Sequence, residues 1–154
     1  MRIRRCGTIT CAALVLTISA FAQEKKIGRS ALPAAVAKTV EAETKGATVK
    51  GYSTERENGK KVYEAETLLH GRTRDIQVAE DGTLNEIEEE VALDTLPSGV
   101  QQALMAKAAG AKITKVESLT KGGKLVAFEA ATLRGNKKGE VQVGPDGAPL
   151  THEQ

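Results

Sequence analysis

The chain of 154 residues contains no tryptophan, two tyrosines, two phenylalanines, two histidines and two cysteines. Each scarcity removes a class of function. Both cysteines, Cys6 and Cys11, stand in an apolar N-terminal run; if that run is a cleaved leader, no disulfide, thiolate nucleophile or cysteine-ligated metal remains, and thiol redox chemistry is excluded. Tight protein inhibitors rely on aromatic anchors, and beyond the leader only Tyr52, Tyr63 and Phe128 are left. Tyr63 and Phe128 alternate with acidic residues, the pattern of core positions on a strand, so an aromatic-rich inhibitor surface is not expected. His70 and His152 each lack a second ligand at metal-binding spacing and read as a solvated hairpin and a chain end. None of Ser30, Ser53, Ser98 or Ser118 sits in a Gly-x-Ser-x-Gly elbow. Lys121-Gly122-Gly123-Lys124 lacks the spacing of a phosphate loop. Glu64 and Glu66 share a strand face, which suits acid–base work, but a charged solvent face is the commoner meaning of such a pair. No catalytic residue, metal or cofactor is assigned, and the chain is expected to be no enzyme.

The first 22 residues read as a secretory signal peptide. Arg2, Arg4 and Arg5 precede an uncharged stretch from Cys6 to Phe21, and Ala20-Phe21-Ala22 forms a small-x-small cleavage triplet. A membrane anchor needs roughly 20 consecutive apolar residues, and this stretch is shorter and rich in threonine. A lipoprotein start fits less well, because Cys11 follows Thr8-Ile9-Thr10. Of the 22 basic residues, the three arginines leave with the leader, so 19 remain against 20 acidic ones. No basic footprint for nucleic acid survives, and no membrane span is expected after cleavage. Removing 22 of 154 residues leaves 132, enough for one ordinary domain or two small ones. Nothing in the sequence signals an oligomeric state.

An ordered series of internal matches is the strongest pattern. Leu32-Pro33 and Val36 recur at Leu96-Pro97 and Val100, and Gly46-Ala47 recurs at Gly110-Ala111, all displaced by 64 positions. "YEAET" at 63–67 matches "FEAAT" at 128–132, and "RDIQVAEDG" at 74–82 matches "KGEVQVGPDG" at 138–147 through its "QV" and "DG", displaced by 65. Pro33 and Pro97 mark helix starts, where a missing N–H costs nothing. Val36, Val40 and Ala47, like Val100, Ala103, Leu104 and Ala108, fall mainly at helical spacing, and Gly46 and Gly110 end the helices. The period then becomes two: Tyr63, Ala65, Thr67, Ile76 and Val78 alternate with charged or polar residues, as do Phe128, Ala130, Val141 and Val143. Asn58-Gly59, Gly122-Gly123, Asp81-Gly82 and Asp146-Gly147 supply the turns. A fourth strand is expected near 83–91, with a shorter counterpart near 148–152.

The expected fold class is α+β, as two tandem repeats, each one helix followed by a three- or four-stranded antiparallel meander, with the helices on one sheet face. Residues 23–30 would form a linker, 31–92 the first repeat and 93–154 the second, joined by the short Ala92-Leu93-Asp94-Thr95. Glu86, Glu88 and Glu90 form a charged stripe read as protection of an exposed strand edge rather than a calcium loop, which needs a sharp turn with a spaced glycine.

The "LPxxV" helix start, the glycine helix end, the "YEA" or "FEA" strand and the "QVxxDG" hairpin resemble the PepSY-like, beta-lactamase-inhibitor-like (BLIP-like) group of secreted bacterial domains, once per repeat. The resemblance implies a periplasmic or secreted domain that binds proteins, in some cases inhibiting a peptidase or beta-lactamase; it brings no catalytic residues. Two surfaces are candidates. The outer sheet face carries Glu64, Asp75 and Gln77 with their counterparts Glu129, Glu140 and Gln142, a natural site for a protein partner. The hairpin tips carry Arg72, Arg74, Arg134, Lys137 and Lys138, which would face an anionic surface. The function expected is therefore a non-enzymatic protein-binding module that regulates or inhibits an envelope or secreted hydrolase. The alternative is a structural component of the envelope that binds anionic polymer.

Overall fold

Pro33 and Pro97 are each followed at once by a helix: α1, Ala34–Glu43, and α2, Ser98–Ala108. Proline is accommodated there because the first N–H groups of a helix have no intrahelical acceptor. Val36 and Val40 of α1 and Val100, Leu104 and Ala108 of α2 form the buried stripes. Gly46 and Gly110, at φ 81° and 82°, turn the chain after the helices. The structure is a computed structural model that describes residues 24–57, 59–152 and 154. The expected leader, residues 1–22, lies outside the described residues, as does Asn58 of the first hairpin.

Eight strands make up the rest: β1 (Lys25–Ile27), β2 (Thr48–Glu57), β3 (Lys60–Leu69), β4 (Arg72–Ala79), β5 (Leu84–Glu90), β6 (Lys112–Lys121), β7 (Lys124–Arg134) and β8 (Lys137–Val143). They pair in chain order in one antiparallel sheet. This corrects the expected fold class. Two tandem helix-plus-meander repeats would each close their own sheet, whereas here the sheet runs without interruption across the boundary placed between 92 and 93. The cause is direct pairing of β5 with β6, from Glu86 opposite Lys121 to Glu90 opposite Glu117. An unpaired strand edge leaves a row of N–H and C=O groups open, and this pairing satisfies both edges at once.

Three smaller corrections follow from the same topology. Lys25–Ile27, expected within a linker, pairs with Tyr52–Thr54 as strand β1. Residues 148–152 form no strand; the Gly144 N–H donates to the Ala148 carbonyl and the chain turns back. The stripe Glu86, Glu88 and Glu90 lies on β5, flanked by β4 and β6, so it guards no edge.

Both helices lie on one face of the sheet. Val36 and Val40 pack on Tyr63, Ala65, Ile76 and Val78, and Val100 and Leu104 pack on Val116, Phe128, Ala130 and Val143. Two Asp-Gly turns pin the helices. Gly82 and Gly147 have φ of 90° and 86°, and a Cβ there would meet Ala35 of α1 at 3.0 Å and the Gly99 carbonyl oxygen of α2 at 2.8 Å. Only glycine allows that backbone approach.

Candidate functional site

Alternation along the strands sends every second residue to the face without helices. Pairing aligns these residues into rows. One runs Ser53, Glu64, Gln77, Glu86 and Lys121; the next runs Gly51, Glu66, Asp75, Glu88 and Leu119. Further along, Glu117 pairs with Glu129 and Glu129 with Gln142. The face is therefore a band of carboxylates from β2 to β8.

This face is concave. Lys121 Nζ on β6 lies 4.0 Å from Glu57 Oε1 on β2. In a flat sheet four strand spacings would separate those strands by roughly 19 Å, too far for the two side chains to bridge. The curvature buries Leu119 and Ala127, which oppose one another in the sheet, although no helix covers them. It also holds Glu86 and Glu117 at 6 % and 4 % exposure.

Crowded carboxylates with little water resist ionisation. Burial, and then repulsion by Asp75, pushes the Glu64 carboxyl up to about 7, while a hydrogen bond from Ser53 works the other way. Burial, then repulsion by Glu117, Glu86 and Glu129, pushes Glu88 up to about 8. Asp75, Glu86 and Glu129 are raised as well, in each case chiefly by burial. Three lysines supply partial compensation: Lys26 pairs with Glu66, Lys115 with Glu117 at 2.7 Å, and Lys121 with Glu86 at 3.2 Å. A pocket of about 90 Å³ is lined by Glu55, Glu64, Asp75, Gln77, Glu86 and Glu88.

All six residues proposed from sequence for partner contact lie on this face. Glu64, Asp75 and Gln77 line the pocket. Gln142 donates to Glu129 at 2.6 Å on the far side of the trough, and Glu140 is exposed at its rim. Sequence reasoning missed Glu86, Glu88 and Glu117. The period-two stripe of β5 was visible, but only its pairing with β4 and β6 turns that stripe inward.

The basic tips are less free than their sequence suggests. Arg74 donates to Glu89 at 2.8 Å and to the Glu43 carbonyl at the end of α1, and its side chain is 12 % exposed. Arg134 donates to the carbonyls of Ala108 and Ala109 at the end of α2. Both arginines thus satisfy the orphan carbonyls of a helix C-terminus. Arg134 is nonetheless exposed, as are Arg72, Lys137 and Lys138. His70 and His152 are exposed too, His70 in a turn with positive φ. No helix among the described residues is long and apolar enough to cross a membrane.

No protein-family model matches the chain, and no curated protein matches it either. Solved structures do share its fold. A BLIP-like protein of Bacteroides fragilis is 21 % identical with a TM-score of 0.55, the match covering 79 % of this chain and 85 % of that one. A DUF2874 family protein of Bacteroides ovatus is 19 % identical with a TM-score of 0.59, covering 77 % and 84 %. A protein of Bacteroides eggerthii, provisionally named as periplasmic, is 16 % identical with a TM-score of 0.61, covering 75 % and 84 %. These similarities establish a BLIP-like fold. They lend no support to the PepSY part of the resemblance or to a tandem duplication.

Proposed function

We propose that the chain is a non-enzymatic binding module of the periplasm or cell exterior that docks a basic segment of a partner protein in its acid-lined trough. The observation that carries this reading is the concave, helix-free face itself, on which carboxylates of β3 to β7 converge around three lysines. A surface of one charge sign with buried walls focuses its field on an oppositely charged partner. The leader-like N-terminus supports export, and so does the provisional periplasmic name of the B. eggerthii neighbour. The BLIP-like name of the B. fragilis neighbour supports docking to a protein as the mode of action. Regulation of an envelope or secreted hydrolase is one use of such docking. Binding of anionic polymer by the hairpin tips is the weaker reading, because Arg74 and Arg134 are engaged at helix ends.

A photo-crosslinking amino acid placed at Glu64 or Glu129, inside the trough, and at exposed Met105 on α2 tests the docking face. With an envelope extract, a discrete protein adduct is expected from the trough positions alone, competed away by a lysine-rich peptide. Adducts formed equally well from Met105, or insensitive to the peptide, would refute docking in the trough.

A further inference from the structure

Asp75, Glu88 and Glu117 stand on three adjacent strands and face the trough together. Each offers one carboxylate oxygen, and these oxygens all lie within 4.8 Å of one another. Two oxygens bound about 2.4 Å from one calcium ion can be no further apart than that. The Thr67 N–H holds Asp75 by Oδ1, and Lys115 and Thr73 hold Glu117 by Oε1. That leaves the second oxygen of each carboxylate for a ligand.

A second feature lies beside this cluster, in the pocket that Asp75 and Glu88 share with Glu86 and that Glu117 does not line. Glu86, two residues before Glu88 and on the same face, has a side chain only 8 % exposed. Its Oε2 accepts from Lys121, while Oε1 is the one buried side-chain polar atom among the described residues without a partner. A buried oxygen bearing negative charge is costly to leave unpaired. Glu86, Glu88 and Asp75 line the same pocket, whose volume of about 90 Å³ accommodates an ion with water.

We propose that Asp75, Glu88 and Glu117 bind a hard divalent cation of the calcium class, with Glu86 as a flanking ligand directly or through water. All donors are oxygen and none is nitrogen or sulfur, which selects calcium-like ions over zinc or copper. The Lys115 ammonium now pairs with Glu117 and is the built-in competitor. Its side chain is 37 % exposed, so it can swing to solvent when an ion enters. The site needs no partner protein and stands or falls apart from the docking reading.

The test is calorimetric titration of calcium chloride into the purified, chelator-washed chain at a pH above the raised Glu88 value of about 8, because a carboxylate must be deprotonated to bind a metal. One ion per chain is expected, with a Kd on the order of 10⁻⁴ to 10⁻³ M, together with a calcium-dependent rise in Tm. Asp75→Asn and Glu88→Gln should each weaken binding at least ~10-fold. Glu140→Gln, at the exposed rim, should leave it unchanged. Lys115→Met should tighten it, a gain that misfolding cannot imitate. Absence of both heat and Tm shift at about 10 mM calcium would overturn the assignment. So would binding that survives Asp75→Asn and Glu88→Gln, or Lys115→Met binding more weakly.

Discussion

On β4, Ile76 and Val78 point toward the helices and are fully buried among apolar neighbours. Asp75 and Gln77, one residue away, point into the trough beside Glu64, Glu86 and Glu88. The two faces share a backbone and differ only in the parity of residue number. Burial on the first face removes apolar area from water and stabilises the fold. Burial on the second confines carboxylates that repel one another, and opposes it. A chain selected for stability alone has no reason to keep Glu64, Asp75, Glu86, Glu88, Glu117 and Glu129 together in a concavity. The contrast teaches that the helix face serves folding while the trough does not, which is what the binding role proposed for the trough requires.

The largest effect should come from the helix face. Ile76→Ala empties a site with 0 % exposure and should cost about 2–5 kcal/mol, read as a lower midpoint in urea or heat. A cost below about 1 kcal/mol would mean that Ile76 sits in no tight core, and the comparison of faces would fail. A smaller loss is expected at the turns that clamp the helices to this face. Gly147→Ala forces a side chain into positive φ and against the Gly99 carbonyl oxygen; about 1–3 kcal/mol should be lost. An unchanged denaturation midpoint would show that α2 is not positioned by that turn.

How much of this was legible in the sequence depends on how local each cause is. Helix starts at Pro33 and Pro97 and alternation at Tyr63, Ala65, Ile76, Phe128 and Val141 are local, since adjacent side chains on a strand must point to opposite faces. Those positions read correctly. The pairing of β5 with β6 is not local. The helix α2 and its flanking turns intervene, and no residue in Glu86–Glu90 announces which strand lies beside it. Taking the Glu86, Glu88 and Glu90 stripe for an edge was the direct result, and it hid half of the trough. Glu117 was invisible for the same reason: beside Lys115 it looks like a solvated pair, and only the curvature of the whole sheet buries it. Lys25–Ile27 is too short and charged to read as a strand until β2 offers it an edge. Arg74 and Arg134 read as free tips because the helix ends that they cap are far away in sequence.

The smallest effect expected has the opposite sign and belongs to the trough. Glu64 is pushed up to about 7 and Glu88 to about 8, against an ordinary value of 4.5. Between that ordinary value and these raised ones the folded chain keeps protons that the unfolded chain has released, so protonation favours the folded state. This contribution is complete below about 4.5 and fades as pH climbs through 7 and then 8. Stability in the presence of chelator should therefore decline across that window. Glu64 contributes to the decline between about 4.5 and 7 and Glu88 between about 4.5 and 8. Glu64→Gln should flatten its lower part and Glu88→Gln its whole span, so at pH above about 8 either variant should exceed the parent chain by on the order of 1 kcal/mol. Thermal melts in chelator at a series of pH values decide the matter. Stability that rises through the window, or a Glu88→Gln chain weaker than its parent at alkaline pH, would mean that the trough carboxylates support the fold. The division of labour between the two faces would then dissolve.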